Sequence, residues 1–342
     1  MFKIAFVACA DDTIGRFDRS MLSQQSLMEL FIFGLDKVDD ICGSRENPTD
    51  VCSWKGIKCN KDGDVEAFKW SFQQEDGTGT LKFKFLPRSM EDLEMPLNAL
   101  AGTIELADLP EKMKGLDLSH NALSGTLNLD DLPSSMEYLY LVENTFTGDI
   151  SLKRLPKGLQ VLCLDSNRLK GTITLTSLPP TLTNLYLRQN TFEGSLEFTR
   201  LPEALKTLHL DDNSFSGEID LSHLPEGVTH LSAGQNRLSG AICLTSLPPA
   251  LQNLYLSKNN FHGSLDFTRL PAMLDELFLS YNSFSGEIDV SHLPAGLRKL
   301  DVRNNRLCGT VRTPPGVFCY DTYGGNSDRL FDGNADLTVE DP

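Results

Sequence analysis

The stretch Leu162-Cys163-Leu164-Asp165-Ser166-Asn167-Arg168-Leu169-Lys170-Gly171 decides the fold, because it returns 23 residues later as Leu185-Tyr186-Leu187-Arg188-Gln189-Asn190-Thr191-Phe192-Glu193-Gly194. The register runs on in both directions. Its asparagine recurs ten times without a slip, at Asn98, Asn121, Asn144, Asn167, Asn190, Asn213, Asn236, Asn259, Asn282 and Asn305. A glycine follows each four residues later, from Gly102 to Gly309, and a Leu-Pro pair keeps step from Leu86-Pro87 to Leu293-Pro294. A fixed period of this length means stacked copies of one small unit.

Apolar residues stand five and three positions before each asparagine, and the residue between them varies: Asp117, Tyr140, Cys163, Tyr186, His209. That alternation reads as a strand with one buried and one exposed face. A single unit cannot bury its face alone, so neighbours stack and the strands align in parallel, about 4.8 Å apart. The asparagine turns the chain off the strand. Its amide both donates and accepts, so a column of asparagines can satisfy the backbone groups that the turn leaves unpaired. A second alternating stretch follows, as in Thr172-Ile173-Thr174-Leu175 and Ser195-Leu196-Glu197-Phe198, and reads as a second short strand. The Leu-Pro step leaves no room for a long helix on the return. Leu-x-x-Leu-x-Leu-x-x-Asn-x-Leu/Phe at this period is the mark of a leucine-rich-repeat solenoid.

A slower period overlies the first. Asn-Arg-Leu occurs at 167–169, 236–238 and 305–307, every third repeat, as if a three-repeat cassette had been duplicated.

Open solenoid ends expose core and need caps. Cys52-Ser53-Trp54-Lys55-Gly56-Ile57-Lys58-Cys59, preceded by the apolar helical stretch Met21 to Phe33, closely resembles the N-terminal cap of plant-type extracellular leucine-rich-repeat proteins. Asn305-Arg306-Leu307-Cys308-Gly309, with Cys319 downstream, resembles their C-terminal cap. Asn-x-Phe-x-Gly-x-Ile-x-Leu with recurring Leu-Pro is also similar to the leucine-rich surface proteins of trypanosomatid protozoa. The resemblance implies disulfides Cys52–Cys59 and Cys308–Cys319, and hence an oxidising, extracellular or cell-surface setting. Reduced cap cysteines would instead place the chain in the cytoplasm. Cys163 and Cys243 lie more than three repeats apart, roughly 15 Å along the axis, and cannot pair. The expected architecture is a predominantly β solenoid of the α/β type. It is a right-handed superhelix of about ten 23-residue repeats, with a parallel concave sheet and disulfide caps. The expected divisions are a short signal peptide at 1–10, an N-terminal cap at 11–86, repeats at 87–313, and a C-terminal cap with acidic tail at 314–342.

Met1-Phe2-Lys3, then Ile4 to Ala10, has the charge, apolar run and small-residue end of a minimal leader. No stretch has the 18 apolar residues of a membrane-spanning helix. The tail from Tyr320 to Pro342 carries no lipid-anchor signal. A formal charge of −16 disfavours nucleic acid and anionic membrane. The acidic runs have no calcium-loop spacing, so neither metal nor cofactor is expected. The six histidines form no metal or catalytic pattern, and no nucleophile or phosphate-loop motif occurs. The chain reads as no enzyme.

What varies is the concave face. Four residues before the asparagines stand Tyr140, Tyr186, His209, Tyr255 and Phe278, flanked two positions away by Tyr138, Arg188 and Asp211. Aromatics are favoured as binding anchors, although sheet surfaces also favour them. These eight residues are the expected ligand-binding face, and the expected partner is a protein or peptide. The runner-up is inhibition of a secreted hydrolase, similar to plant inhibitors of pectin-degrading enzymes. A third reading is a structural or adhesive surface spacer.

Overall fold

The computed structural model describes residues 21–320 and 324–340. The leader expected at 1–10 lies outside the described residues. The chain coils into two long sheets of twelve strands each. One runs from Ile57–Cys59 and Val65–Lys69 through Val161–Cys163 and Asn184–Tyr186 to Lys299–Asp301. The other runs from Gln74–Thr80 through Arg168–Thr172 and Thr191–Gly194 to Asp336–Glu340. Pairing within the repeats is parallel and in strict register, so Leu139, Leu162 and Leu185 stack as one column and Tyr140, Cys163 and Tyr186 as the next. The leucines of each strand are fully buried, and Phe192 stacks on Phe215 at 6.2 Å just as Phe261 stacks on Phe284. Between the sheets the described repeats make only short 3-10 turns, such as Leu221–His223.

The second strand lies earlier than expected. It occupies Arg168–Thr172 rather than 172–175, while Ile173 and Leu175 bury their side chains without joining the ladder. The asparagine turn delivers the chain directly into the second sheet, and the glycine there has φ near +80 to +99°. A Cβ on Gly194 would come within 2.9 Å of Thr172 Cγ2 in the preceding coil. The left-handed φ explains the glycine at every turn, and crowding adds to it at Gly148, Gly171, Gly194 and Gly240.

The residue before each of the ten periodic asparagines is also left-handed, yet it is never glycine: Gln189 has φ 52° and Lys258 φ 59°. The asparagine compensates. Asn190 Nδ2 donates to Leu164 O of the preceding coil (3.0 Å) and to Arg188 O (3.1 Å), while its Oδ1 accepts from Leu169 N–H (3.0 Å). The column gains a rung that the period did not reveal: Asn334 donates to Val302 O (3.1 Å) and accepts from Leu307 N–H (3.0 Å).

At the N-terminal end a helix, Gln24–Ile32, is capped by Ser23 and buries Met28, Phe31 and Ile32, which share one helical face. Cys52 and Cys59 are bridged there. Closing so short a loop contributes about 2 kcal/mol in the chain-entropy model. Selective reduction is therefore expected to lower the unfolding free energy by about that amount. Chemical denaturation with and without reductant checks it; an unchanged midpoint would show that the bridge constrains nothing.

The C-terminal bridge is not formed: Cys308 and Cys319 are free thiols. Cys308 sits in Arg306–Arg312 on the second sheet, paired between Glu287 and Asp336. Cys319 is buried in a hairpin with Asn326–Ser327, beside the concave sheet, where Phe318 bridges Lys299. The two cysteines belong to different walls of the coil. Backbone pairing supplies the closure that the resemblance assigned to a disulfide.

Candidate functional site

Strand periodicity sets the concave face. On each short strand the side chains four and two residues before the asparagine point outward, and parallel register turns them into continuous columns. The structure places all eight expected residues on this face, in two groups.

Towards the N-terminal side lie Tyr138, Tyr140, Tyr186, Arg188, His209 and Asp211, each half-buried by its neighbours. Tyr186 meets His209 edge-on at 5.0 Å, and Arg188 Nε lies 3.9 Å from Asp211 Oδ2. Tyr138 donates to Gln160 Oε1 at 3.2 Å. Burial holds the His209 imidazole below its ordinary value, which favours the neutral ring. Cys163 is covered between Tyr140 and Tyr186, and burial pushes its thiol up to about 12, so it is no nucleophile.

Asp165 carries no aromatic or motif signal in the sequence, yet it lies on this face. Its Oδ1 accepts from Arg188 N–H at 2.8 Å, yet burial pushes the carboxyl up to about 7. A folded value above the unfolded one near about 4 means stability present at low pH is lost as pH rises through about 7. Asp165→Asn is therefore expected to raise Tm relative to the parent above pH 7 and to leave it unchanged near pH 4. Thermal melts across that range test this; a constant difference would remove the titration.

The second group gathers at the C-terminal side. Tyr255 and Phe278 pack at 5.1 Å between ring centroids, and Phe278 meets Tyr320 edge-on at 5.6 Å. Glu276 joins them, accepting from the Tyr255 hydroxyl and, at 3.1 Å, from the Tyr320 hydroxyl. Lys299 Nζ lies 4.1 Å over the Tyr320 ring. Tyr320 comes from the terminal hairpin, outside the repeat register, so periodicity gave no signal for it. Glu276 stands six residues before its asparagine, in the same outward column as Tyr138, where a carboxylate gives no aromatic signal. Beside this cluster an open depression of about 340 Å³ lies between the Tyr255 and Phe278 rings and Lys258 and Tyr281. Arg303 closes one end, held by Asp301 through two bonds of 2.8 and 2.7 Å.

Among the described residues no cluster of His, Cys, Asp or Glu could hold a metal ion, and no helix is long and apolar enough to cross a membrane.

Comparison with known proteins agrees with the coil. A leucine-rich-repeat family model matches residues 204–221, less than one unit of the array. No curated protein matches the sequence. The leucine-rich-repeat ectodomain of the Arabidopsis receptor kinase HAESA, solved with an N-terminally extended IDA peptide hormone ligand, is 26% identical with a TM-score of 0.57. That match covers 80% of this chain and 54% of the receptor chain. HAESA in complex with IDA and the co-receptor SERK1 aligns at 26% identity and TM-score 0.54, covering 79% and 50%. The chain thus spans about half the length of the receptor chains it matches. A plant ice-binding protein matches over 86% of this chain and 89% of its own, with TM-score 0.58, but at 21% identity the likeness is of fold alone. Repeat, register, asparagine column and these likenesses agree: the chain folds as a leucine-rich-repeat solenoid.

Proposed function

We propose that the chain is a non-catalytic recognition module that binds a protein or peptide on its concave sheet, in an extracellular or cell-surface setting. One observation carries the reading: Tyr140, Tyr186, His209, Tyr255 and Phe278 stand half-buried in one column of a sheet whose backbone is fixed. Such a face is preformed, so ordering on binding costs little entropy. Peptide hormones are the ligands of the HAESA complexes, which supports the same class of partner here. The cap bridge Cys52–Cys59 supports an oxidising compartment.

Tyr186 and Tyr255 lie between buried leucines and open no core cavity when truncated. Tyr186→Ala and Tyr255→Ala are expected to leave Tm nearly unchanged while weakening a partner by about 1–2 kcal/mol each. Glu197→Ala, on the exposed outer side, should do neither. The measurement is calorimetric titration of a partner selected on the intact chain. Binding that ignores both tyrosines but fails with Glu197→Ala would move the site off the concave sheet.

A further inference from the structure

The outward column two residues before the asparagines is bulky or charged through its middle: Val142, Asp165, Arg188, Asp211. It then falls to Gly234, Ser257 and Ser280 in three successive coils before rising again at Arg303. This run of small residues is the floor of the 340 Å³ depression. Gly234 and Ser280 are buried, and Ser257 Oγ is occupied with Ser280, accepting its N–H at 3.1 Å. The floor therefore offers space more than hydrogen bonds. One wall is apolar, the paired rings of Tyr255 and Phe278.

The ends differ in charge. Arg303 is neutralised in place by its two bonds to Asp301. Asp211, at the other end, has its nearest cation, Arg188, 3.9 Å away, too long for a hydrogen bond. Lys258 stands exposed on the outer rim with its Nζ donating to Gln235 Oε1 at 3.0 Å. The accessible charge at the inner end is negative, on a chain of net charge −16.

Resting on the concave-face reading above, we infer that the groove binds an extended peptide segment with one apolar or aromatic side chain in the depression and a basic residue three positions away on Asp211. Spacing sets that interval. Asp211 and Ser257 are two coils apart, about 9.6 Å at the strand separation of a sheet. In the left-handed extended helix of polyproline type, residues three apart share a face and lie about 9.3 Å apart. A β-extended segment misses, because same-face residues fall at about 6.7 or 13 Å. The small floor lets the segment lie close against the sheet. The ring pair covers the apolar side chain, and Asp211 fixes its direction.

A phage-displayed library of random linear heptapeptides, panned on the full chain, tests this. The expected result is enrichment of a Lys or Arg separated by two residues from Phe, Tyr, Trp or Leu. Resynthesised peptides should lose affinity roughly tenfold or more on Ser257→Trp, which fills the depression. Asp211→Lys, a surface change with little burden on folding, should convert the preference from basic to acidic peptides; it decides the matter if Ser257→Trp fails to fold. Enriched peptides that lack the spacing, or that ignore both substitutions, overturn the inference. If those peptides still weaken on Tyr140→Ala or Tyr186→Ala, the concave face binds elsewhere and only the groove assignment is lost. No enrichment, or binding indifferent to every concave change, removes both readings.

Discussion

Asn190→Ala is expected to lower the unfolding free energy by about 1–3 kcal/mol, because one buried donor loses its acceptor. The carbonyls that Asn190 serves are shared. Leu164 O also accepts from Asn167, Leu187 O from Asn213, and Arg188 O from Ser166 N–H. Leu169 N–H has no such second partner: it donates to Asn190 Oδ1 at 3.0 Å, in a residue with no exposure. The cost is therefore that of one orphaned N–H plus a small void, and it falls in the middle of the array where no end can fray to relieve it. Arg188→Ala, two residues away but facing outward, should change stability by only about 0.5 kcal/mol. Paired denaturation curves decide it. Equal losses from the two substitutions would mean that the asparagine column does not govern the coil.

The ladder was legible because its signal is local and repeated. Each asparagine carries its own leucines and glycine at fixed offsets, so a reader needs only one period to place every strand and face. The features that escaped are those that break period or arise from lack. Asn334 follows Asn305 by 29 residues instead of 23, and the apolar residue after it is Leu337, one place late. Tyr320 reaches the face through a hairpin with no repeat register at all. The depression exists because Gly234, Ser257 and Ser280 leave a column empty, and a scan for anchors passes over small residues. The Cys308–Cys319 expectation failed for a different reason. Closeness in sequence, 11 residues, concealed that the chain changes wall between them. Sequence spacing places residues on a coil only while the coil keeps its period.

Ending the chain at Tyr320 is expected to cost more than the loss of any single asparagine, about 3 kcal/mol or more, because it strips a coil rather than a bond. The segment 324–340 forms a last turn of the solenoid. Leu330 and Phe331 are buried in the end of the core, Val302 N–H donates to Leu330 O at 3.1 Å, and Asp336–Glu340 continues the second sheet beside Arg306–Arg312. Removal would uncover Val302 and Leu307, both unexposed in the whole chain, and each fully buried side chain of this size is worth about 1.5–3 kcal/mol. The freed Leu307 N–H would meet water, so the penalty is apolar exposure, not an orphaned donor. Asn334→Ala should behave in the opposite sense: the end stays covered, Leu307 N–H is left dry and unpaired, and the loss is about 1–3 kcal/mol. Val339→Ser, at a side chain 48% exposed, serves as the neutral control. Hydrogen exchange separates the mechanisms. Truncation should release amides from Leu300 to Leu307 first and then grade inward coil by coil, whereas Asn334→Ala should release Leu307 alone. A truncated chain with the parent's Tm and the parent's exchange pattern would show that the solenoid is closed by Lys299–Asp301 and its hairpin, and that the last turn is an appendage.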